Sequence, residues 1–239
     1  MDFNRSTTVI TGASRGIGRE IALAFARKKT HPLILLARDQ QALQRVCEEC
    51  LTIGVVHAEY RAMDLSNPDE IDSFIWPADL PDPGVLVNNA GIFLLKSLEE
   101  TTPDEFQHQW MVNTYAPFLL TRKLLPRMEK TERGLIVNIS SMAALSGQER
   151  SGAYTSSKHA LLGYTRSLRR ELYKSKIAVT ALNLGQTMSS SWEGVEVNPQ
   201  ELINPADIAE LIVQLTRFSV RTVAEEILLR PQAGDRSPN

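Results

Sequence analysis

Tyr154 and Lys158 stand four residues apart in Tyr154-Thr155-Ser156-Ser157-Lys158, a spacing that places two side chains on one face of a helix. A phenol is a weak acid with an ordinary pKa of about 10, and a neighbouring ammonium favours its phenolate and moves its titration toward the working range. The pair reads as a general acid–base group serving a reacting oxygen. Ser141, upstream in Asn138-Ile139-Ser140-Ser141, supplies a hydroxyl able to hold a carbonyl against that phenol. A second chemistry is written in Thr11-Gly12-Ala13-Ser14-Arg15-Gly16-Ile17-Gly18. Its glycines permit a tight turn and close approach of a ligand to the backbone, and a helix starting there would offer free N–H groups to a pyrophosphate. Gly12, Ser14, Arg15, Gly16, Ile17 and Gly18 are therefore candidate dinucleotide contacts, although the spacing is G-x-x-x-G-x-G rather than the commoner G-x-G-x-x-G. Arg38, in Leu35-Leu36-Ala37-Arg38, suits the 2′-phosphate of NADP, and Arg15 adds a second guanidinium. Asp39 follows at once and leaves an NAD preference open on composition. Asp64, in Met63-Asp64-Leu65-Ser66, is placed either to meet the adenine edge or to cap a helix.

Positioning these groups requires a fold, and the chain alternates short apolar runs with longer segments of helical period. The pattern predicts strands over Thr7–Thr11, Leu33–Ala37, Val55–Met63, Val85–Asn88, Leu135–Ser140, Ile177–Leu184 and Glu226–Arg230. Helices are predicted over Gly16–Lys29, Gln40–Thr52, Pro68–Trp76, Pro103–Glu129, Ser151–Lys174 and Pro205–Thr216, with Ser66, Thr102 and Asn204 as caps near three of the prolines. Pro126 is expected to end or kink the fourth helix near Leu125. Near-continuous apolar strands joined by helices imply a parallel sheet covered on both faces, reached by right-handed crossovers. The expected architecture is α/β: a single Rossmann-type doubly wound sheet of about seven strands with helices on both faces, one domain over residues 1–239. The weakly periodic stretch from Gln186 to Asn204 would be the loop that meets a ligand at a strand's carboxyl end.

Taken together, these residues resemble the short-chain dehydrogenase/reductase family along essentially the whole chain. The family's T-G-x-x-x-G-x-G is Thr11 to Gly18, its N-N-A-G is Asn88-Asn89-Ala90-Gly91, and its Asn-Ser-Tyr-Lys tetrad falls on Asn113, Ser141, Tyr154 and Lys158. The resemblance implies NADP(H) as cofactor and a metal-free reaction. Tyr154 would protonate the carbonyl oxygen as hydride arrives, Lys158 would lower the Tyr pKa and bind the nicotinamide ribose, and Ser141 would orient the carbonyl. Asn113 would interrupt its helix and hold a water linking Lys158 to solvent. Asn89, Ala90 and Gly91 would follow the adenosine side of the cofactor, with Thr187 and Ser189 beside the carboxamide. One departure stands out: the family's P-G after the sixth strand is Leu184-Gly185, and Ser189 replaces a threonine. Loss of that proline bears on the stiffness of the turn at Gly185, not on the chemistry.

The expected substrate pocket is framed by residues 92–95, 142–150 and 188–197, with Phe93, Met142, Leu145 and Trp192 making it apolar; each of these also fits plain core packing. Arg150 is the one cation at its rim. The ending Arg221-Thr222-Val223-Ala224-Glu225-Glu226-Ile227-Leu228-Leu229-Arg230-Pro231, followed by Gly234-Asp235, is similar to that of compact carbonyl reductases, sepiapterin-reductase-like members included. The resemblance thus implies reduction of a small ketone or dicarbonyl. A 3-oxoacyl-(acyl-carrier-protein) reductase and a catalytically idle NADP(H)-binding sensor stand as alternatives. It also implies a homodimer or homotetramer paired through the two long helices.

Composition excludes other classes. Of 239 residues, 43% are hydrophobic and 23% charged, which is wrong for disorder. Lys+Arg number 26 against Asp+Glu 28, so no basic footprint suggests nucleic acid or an anionic membrane as partner. The longest aliphatic stretch, Leu33–Ala37, falls far short of the roughly 20 residues of a membrane span. An apolar run already under way at Thr7 predicts no signal peptide, hence a cytoplasmic protein. Cys47 and Cys50 form a C-x-x-C inside a predicted helix rather than at its start, and the scattered histidines 31, 57, 108 and 159 offer no second ligand pair. They are expected to be reduced thiols.

Overall fold

A computed structural model describes residues 6–29, 31–189, 192, 194 and 196–234. Seven parallel strands form one sheet: β1 (Thr7–Thr11), β2 (Leu33–Ala37), β3 (Ala58–Ala62), β4 (Pro83–Asn88), β5 (Gly134–Ser141), β6 (Ile177–Leu184) and β7 (Glu226–Leu229). Their spatial order is β3-β2-β1-β4-β5-β6-β7. The helices are α1 (Gly16–Lys28), α2 (Gln40–Ile53), α3 (Pro68–Ser73), α4 (Pro103–Trp110), α5 (Ala116–Met128), α6 (Gly152–Glu171) and α7 (Pro205–Leu215). Period-two alternation divides the strand side chains between two cores. Ile10, Leu33, Leu35, Val85, Val87, Val137 and Leu182 pack with α1, α2 and α7, while Val9, Ile34, Leu36, Leu86, Ile136 and Val179 pack with α3, α5 and α6. This is the doubly wound α/β sandwich that the strand pattern predicts.

The order of strands reverses between β1 and β4, and in such sheets the crevice beyond the carboxyl ends at that point receives the ligand. Four elements end there: β1 runs into the glycine turn, β4 into Asn89–Gly91, β5 into Ser141 and β6 into Gly185.

Several boundaries differ from the sequence expectation for identifiable reasons. The strand expected from Val55 begins at Ala58, because Gly54 takes a left-handed conformation (φ 105°) and Val55 N–H still bonds back to the Cys50 carbonyl. The helix expected to reach Trp76 stops at Ser73: Phe74 is extended, and Trp76 precedes a proline and gives its indole N–H to the Leu80 carbonyl. Its cap is Asn67, not Ser66. Thr102 and Asn204 do cap their helices, Thr102 in a reciprocal capping box with Glu105. The fourth predicted helix is not broken at Pro126, which lies two residues before the end of α5 at Met128; it is broken at Asn113 instead. The strands are not uniformly apolar, since β3 and β7 lie at the sheet's two edges and stay partly exposed.

Cys47 and Cys50 are buried and unlinked. Burial raises both thiols, Cys50 to about 12, which suits inert packing groups.

Candidate active site

The first turns of α6 bring Tyr154 and Lys158 to the carboxyl end of β5. This helix is fixed to the sheet by a buried polar seam: Asn88 Nδ2 donates to Asn138 Oδ1 at 2.8 Å, and Asn138 Nδ2 donates to Thr165 Oγ1 at 2.8 Å. Lys158 is 4% exposed, and its Nζ donates to the Ile139 carbonyl at 2.9 Å. Loss of hydration lowers its pKa to about 8, so the ammonium remains the main form at neutral pH. The Nζ lies 5.8 Å from the centroid of the Tyr154 ring.

Burial raises the Tyr154 phenol above its ordinary value, and the neighbouring Ser141 hydroxyl opposes the rise. The sequence expectation of a lowered phenol is therefore not met by the protein alone: desolvation outweighs the help it receives. A phenol kept protonated at neutral pH is the form a proton donor needs. Ser141, at the end of β5, also accepts from Ala143 N–H at 3.1 Å, which starts a short 3₁₀ turn (Met142–Ala144). Phe93 meets the Tyr154 ring edge-on, with centroids 4.9 Å apart.

Asn113 lies in a single π-helical turn, Met111–Tyr115, between α4 and α5, and is fully buried. Such turns insert one extra residue and recur at functional positions. Asn113 Oδ1 accepts Ile92 N–H at 2.9 Å, and Nδ2 donates to the Ile92 carbonyl at 3.0 Å and to Ser157 Oγ at 3.0 Å. Its amide thus clasps Ile92, the first residue of the irregular segment that follows N-N-A-G. A Cβ placed on Gly91 would stand 3.2 Å from Asn113 Oδ1 and 3.4 Å from Lys158 Nζ, so Gly91, Asn113 and Lys158 adjoin. Four of the predicted site residues, Asn113, Ser141, Tyr154 and Lys158, are brought together.

The glycine turn is shaped for close approach. Gly12 and Gly16 have positive φ (64° and 55°), and a Cβ on Gly18 would stand 2.2 Å from the Gly12 carbonyl oxygen, which no side chain tolerates. Arg15 is the N-cap of α1 but makes no side-chain cap bond, and no acid occupies the first turn, so the N–H groups there suit an anion. A Cβ on Gly16 would meet Ser189 at 3.9 Å, placing the loop after β6 across the turn. These residues, Ser14 and Ile17 among them, fit a dinucleotide pyrophosphate.

Asn89 turns its side chain to the turn itself, with Nδ2 donating to the Thr11 carbonyl at 2.9 Å, while Thr11 Oγ1 accepts from both Asn89 and Ala90 N–H at 2.9 Å. The sequence marks Thr11 only as a motif letter; its role as the brace between two ligand-facing loops requires the sheet order. Asp39 Oδ1 accepts Ala42 N–H as the N-cap of α2, and Arg38 beside it is exposed. Asp64 caps no helix: its carboxylate accepts Ser66 N–H at 2.9 Å and Ser66 Oγ at 2.8 Å. Partial burial would raise its pKa, but those two bonds, helped by Arg38 and His108, hold it below the usual carboxylate value. A cavity of about 560 Å³ opens alongside, lined by Ser66, His108, Met111 and neighbouring α4 residues.

The predicted pocket residues separate. Phe93 and Leu145 are half-exposed (47% and 41%), joined by Leu95 and Met188, whereas Met142 is 8% exposed and packs inward. Trp192 gives its indole N–H to the Thr187 carbonyl at 2.9 Å, so its polar edge is satisfied within the chain. Residues 190, 191, 193 and 195 of the expected substrate loop, and Asp235 of the chain's ending, lie outside the described residues. The loop's base is firm without the missing proline: Gly185 N–H bonds the Leu229 carbonyl at 2.8 Å, Thr187 Oγ1 donates to the Gly185 carbonyl, and Met188 and Gln186 pair with Ile203. Arg150, the rim cation, pairs with Glu100 at 3.3 Å.

A parallel doubly wound sheet with a glycine turn at its switch point and a Ser–Tyr–Lys–Asn cluster beside it defines a dehydrogenase-type site. A family model described as short chain dehydrogenase matches residues 6–199, and the chain belongs to that family of oxidoreductases. It is 33% identical over 236 residues to the sepiapterin reductase of Chlorobaculum tepidum, covering 95% of this chain and 96% of the relative. A metagenomic short-chain oxidoreductase solved in complex with NADP superposes with a TM-score of 0.83 at 33% identity, covering 96% of this chain and 99% of that one. An alcohol dehydrogenase from Thermococcus sibiricus complexed with 5-hydroxy-NADP gives 0.85 at 27% identity, over 98% and 99%.

Proposed function

We propose that this protein is an NADPH-dependent reductase of a small-molecule ketone, sepiapterin-like or a dicarbonyl, its single domain spanning residues 1–239. The observation that carries the reading is the convergence of Ser141, Tyr154 and the buried Lys158, whose Nζ lies 5.8 Å from the Tyr154 ring, beside a half-exposed apolar rim begun by Phe93. Bound NADPH would supply the hydride. The chain's own part is to hold the carbonyl oxygen between the Ser141 hydroxyl and the phenol and to pass it the Tyr154 proton. Lys158 keeps a positive charge near that oxygen, and Asn113 fixes the wall through Ile92.

Arg15 and Arg38 would take the 2′-phosphate, and the use of Asp39 as a helix cap supports NADP over NAD, since the neighbouring acid is already engaged. Gly12, Ser14, Gly16, Ile17 and Gly18 would line the pyrophosphate. Asp64, Asn89, Ala90 and Gly91 would line the adenosine side. Gly185, Thr187 and Ser189 would flank the nicotinamide end. Phe93, Leu145 and Trp192, with Met142 behind them, favour a flat or apolar substrate.

Phe106, Trp110 and Phe118 are exposed along α4 and α5, which supports pairing of two copies through these helices and α6. Among the described residues no helix is long and apolar enough to cross a membrane.

The test is NADPH consumption with sepiapterin, a vicinal diketone and an acetoacetyl thioester. Turnover of either of the first two supports the reading. Turnover confined to the thioester replaces it with acyl-chain chemistry, and tight NADPH binding with no turnover replaces it with a sensor.

A further inference from the structure

The π-turn that carries Asn113 is bracketed on its outer side by aromatic rings. Trp110, the last residue of α4, stacks on Tyr115, the last of the turn, with centroids 5.4 Å apart and planes 18° from parallel. Tyr115 stacks in turn on Phe118 (5.9 Å, 19°), whose ring meets Tyr164 of α6 edge-on at 5.8 Å and lies under the Arg122 guanidinium. In an α-helix, residues five apart point about 140° away from each other, because each residue turns the chain by about 100°. Trp110 and Tyr115 can face each other only because the intervening turn has the wider register, which Ala116 N–H seals by bonding the Met111 carbonyl. The dependence runs both ways: what favours the stack favours the π register over the α register. On the inner side of the same turn, Val112, Asn113 and Thr114 are buried, and Asn113 makes the bonds to Ile92 and Ser157.

We propose that the Trp110–Tyr115–Phe118 stack is a positioning device for Asn113, a surface clamp that keeps the π-turn wound so that the buried amide stays aimed at Ile92 and Ser157. The proposal rests on the reductase reading for its kinetic consequence but not for its structural one. Without the stack the turn shifts toward the α register, and a shift of one residue swings Asn113 off the site by about 100°. Trp110 and Tyr115 touch neither substrate nor cofactor in this scheme; they act through Asn113.

The experiment combines kinetics with backbone amide exchange on the full chain. Trp110→Leu keeps apolar bulk and removes the ring, and Tyr115→Leu serves if the first variant does not fold. The expected result is a kcat lowered about tenfold or more with the KM for NADPH within about twofold. Trp110→Phe recovers most of the loss, and exchange accelerates within residues 111–116 but not in α6. Ile75→Ala, 84% exposed and away from both the stack and the pairing helices, leaves both readouts unchanged. A kcat within about twofold of the unaltered protein overturns the proposal even if exchange rises, since Asn113 is then not governed by the stack. A kcat loss that tracks a fall in mass by light scattering, with exchange rising along all of α5 rather than within 111–116, also overturns it, since the rings then act through pairing of two copies and not through Asn113. If the unaltered protein reduces no carbonyl, the reductase reading fails by itself. Exchange then decides the clamp: faster exchange confined to 111–116 supports it, and unchanged exchange refutes it.

Discussion

Lys158 is the residue at which stability and function oppose each other most directly. Its pKa falls from 10.5 to about 8 because the folded protein strips its hydration. The folded state therefore binds fewer protons than the unfolded chain between about pH 8 and 10.5, so this group's contribution to stability rises with pH across that window. Below about pH 8 the burial of the ammonium costs on the order of 3 kcal/mol. Lys158→Met should accordingly raise the melting temperature of the cofactor-free protein at pH 7 by at least about 3 °C. The gain should shrink toward pH 10, and turnover should be lost. A melting temperature unchanged or lowered at pH 7 would mean that the bond to the Ile139 carbonyl outweighs the desolvation. Arg38→Asp should move cofactor preference toward NADH, and an unchanged ratio of NADPH to NADH efficiency would remove Arg38 from phosphate recognition. The i, i+4 spacing of Tyr154 and Lys158 was legible in the sequence, but the direction of the phenol's shift was not. That direction depends on how completely β5, α6 and Phe93 bury the ring, a property of packing that no spacing encodes.

At the scale of elements, the glycine turn makes the sharpest claim. Gly18→Ala puts a methyl 2.2 Å from the Gly12 carbonyl oxygen. It should destabilise by about 1–3 kcal/mol, as overpacking does, and abolish NADPH binding. Gly163→Ala, at an exposed α6 position with nothing within 4 Å, should instead stabilise by about 0.5–1 kcal/mol through helix propensity alone. Paired thermal melts check both, and a neutral Gly18→Ala would contradict the geometry of the turn. Strand and helix identities followed from periodicity, and Pro68, Pro103 and Pro205 mark true helix starts. The break in the long helix was misplaced because proline is the visible breaker. Pro126 falls where the helix is already ending, whereas the actual interruption is an extra residue in a run of ordinary helix formers around Asn113. Only the family resemblance pointed there. Thr11, Ser157 and Gln109 escaped notice for a related reason: Thr11 Oγ1 braces residues 78 and 79 positions away, and Asn113 Nδ2 reaches Ser157 44 positions away as well as Gln109 one turn back.

The whole molecule arranges these parts by strand order. Because β4 lies beside β1 and β5 beside β4, the glycine turn, the Asn89–Gly91 segment and Ser141 become neighbours at the carboxyl end of the sheet, although they are far apart along the chain. The exposed aromatic strip of Phe106, Trp110 and Phe118 along α4 and α5 predicts association. Light scattering at micromolar concentration should give the mass of two or four copies of the 26.7 kDa chain. A mass of one copy would leave the strip without a covering partner and refute the pairing. The central claim, that Tyr154 delivers the proton in an NADPH-dependent reduction, is tested most directly by Tyr154→Phe, assayed for carbonyl-dependent NADPH oxidation and for NADPH binding on the same preparation. The predicted result is a loss of turnover of about a hundredfold or more with the NADPH dissociation constant within about threefold of the unaltered protein. Turnover surviving the loss of the phenolic hydroxyl would contradict the account.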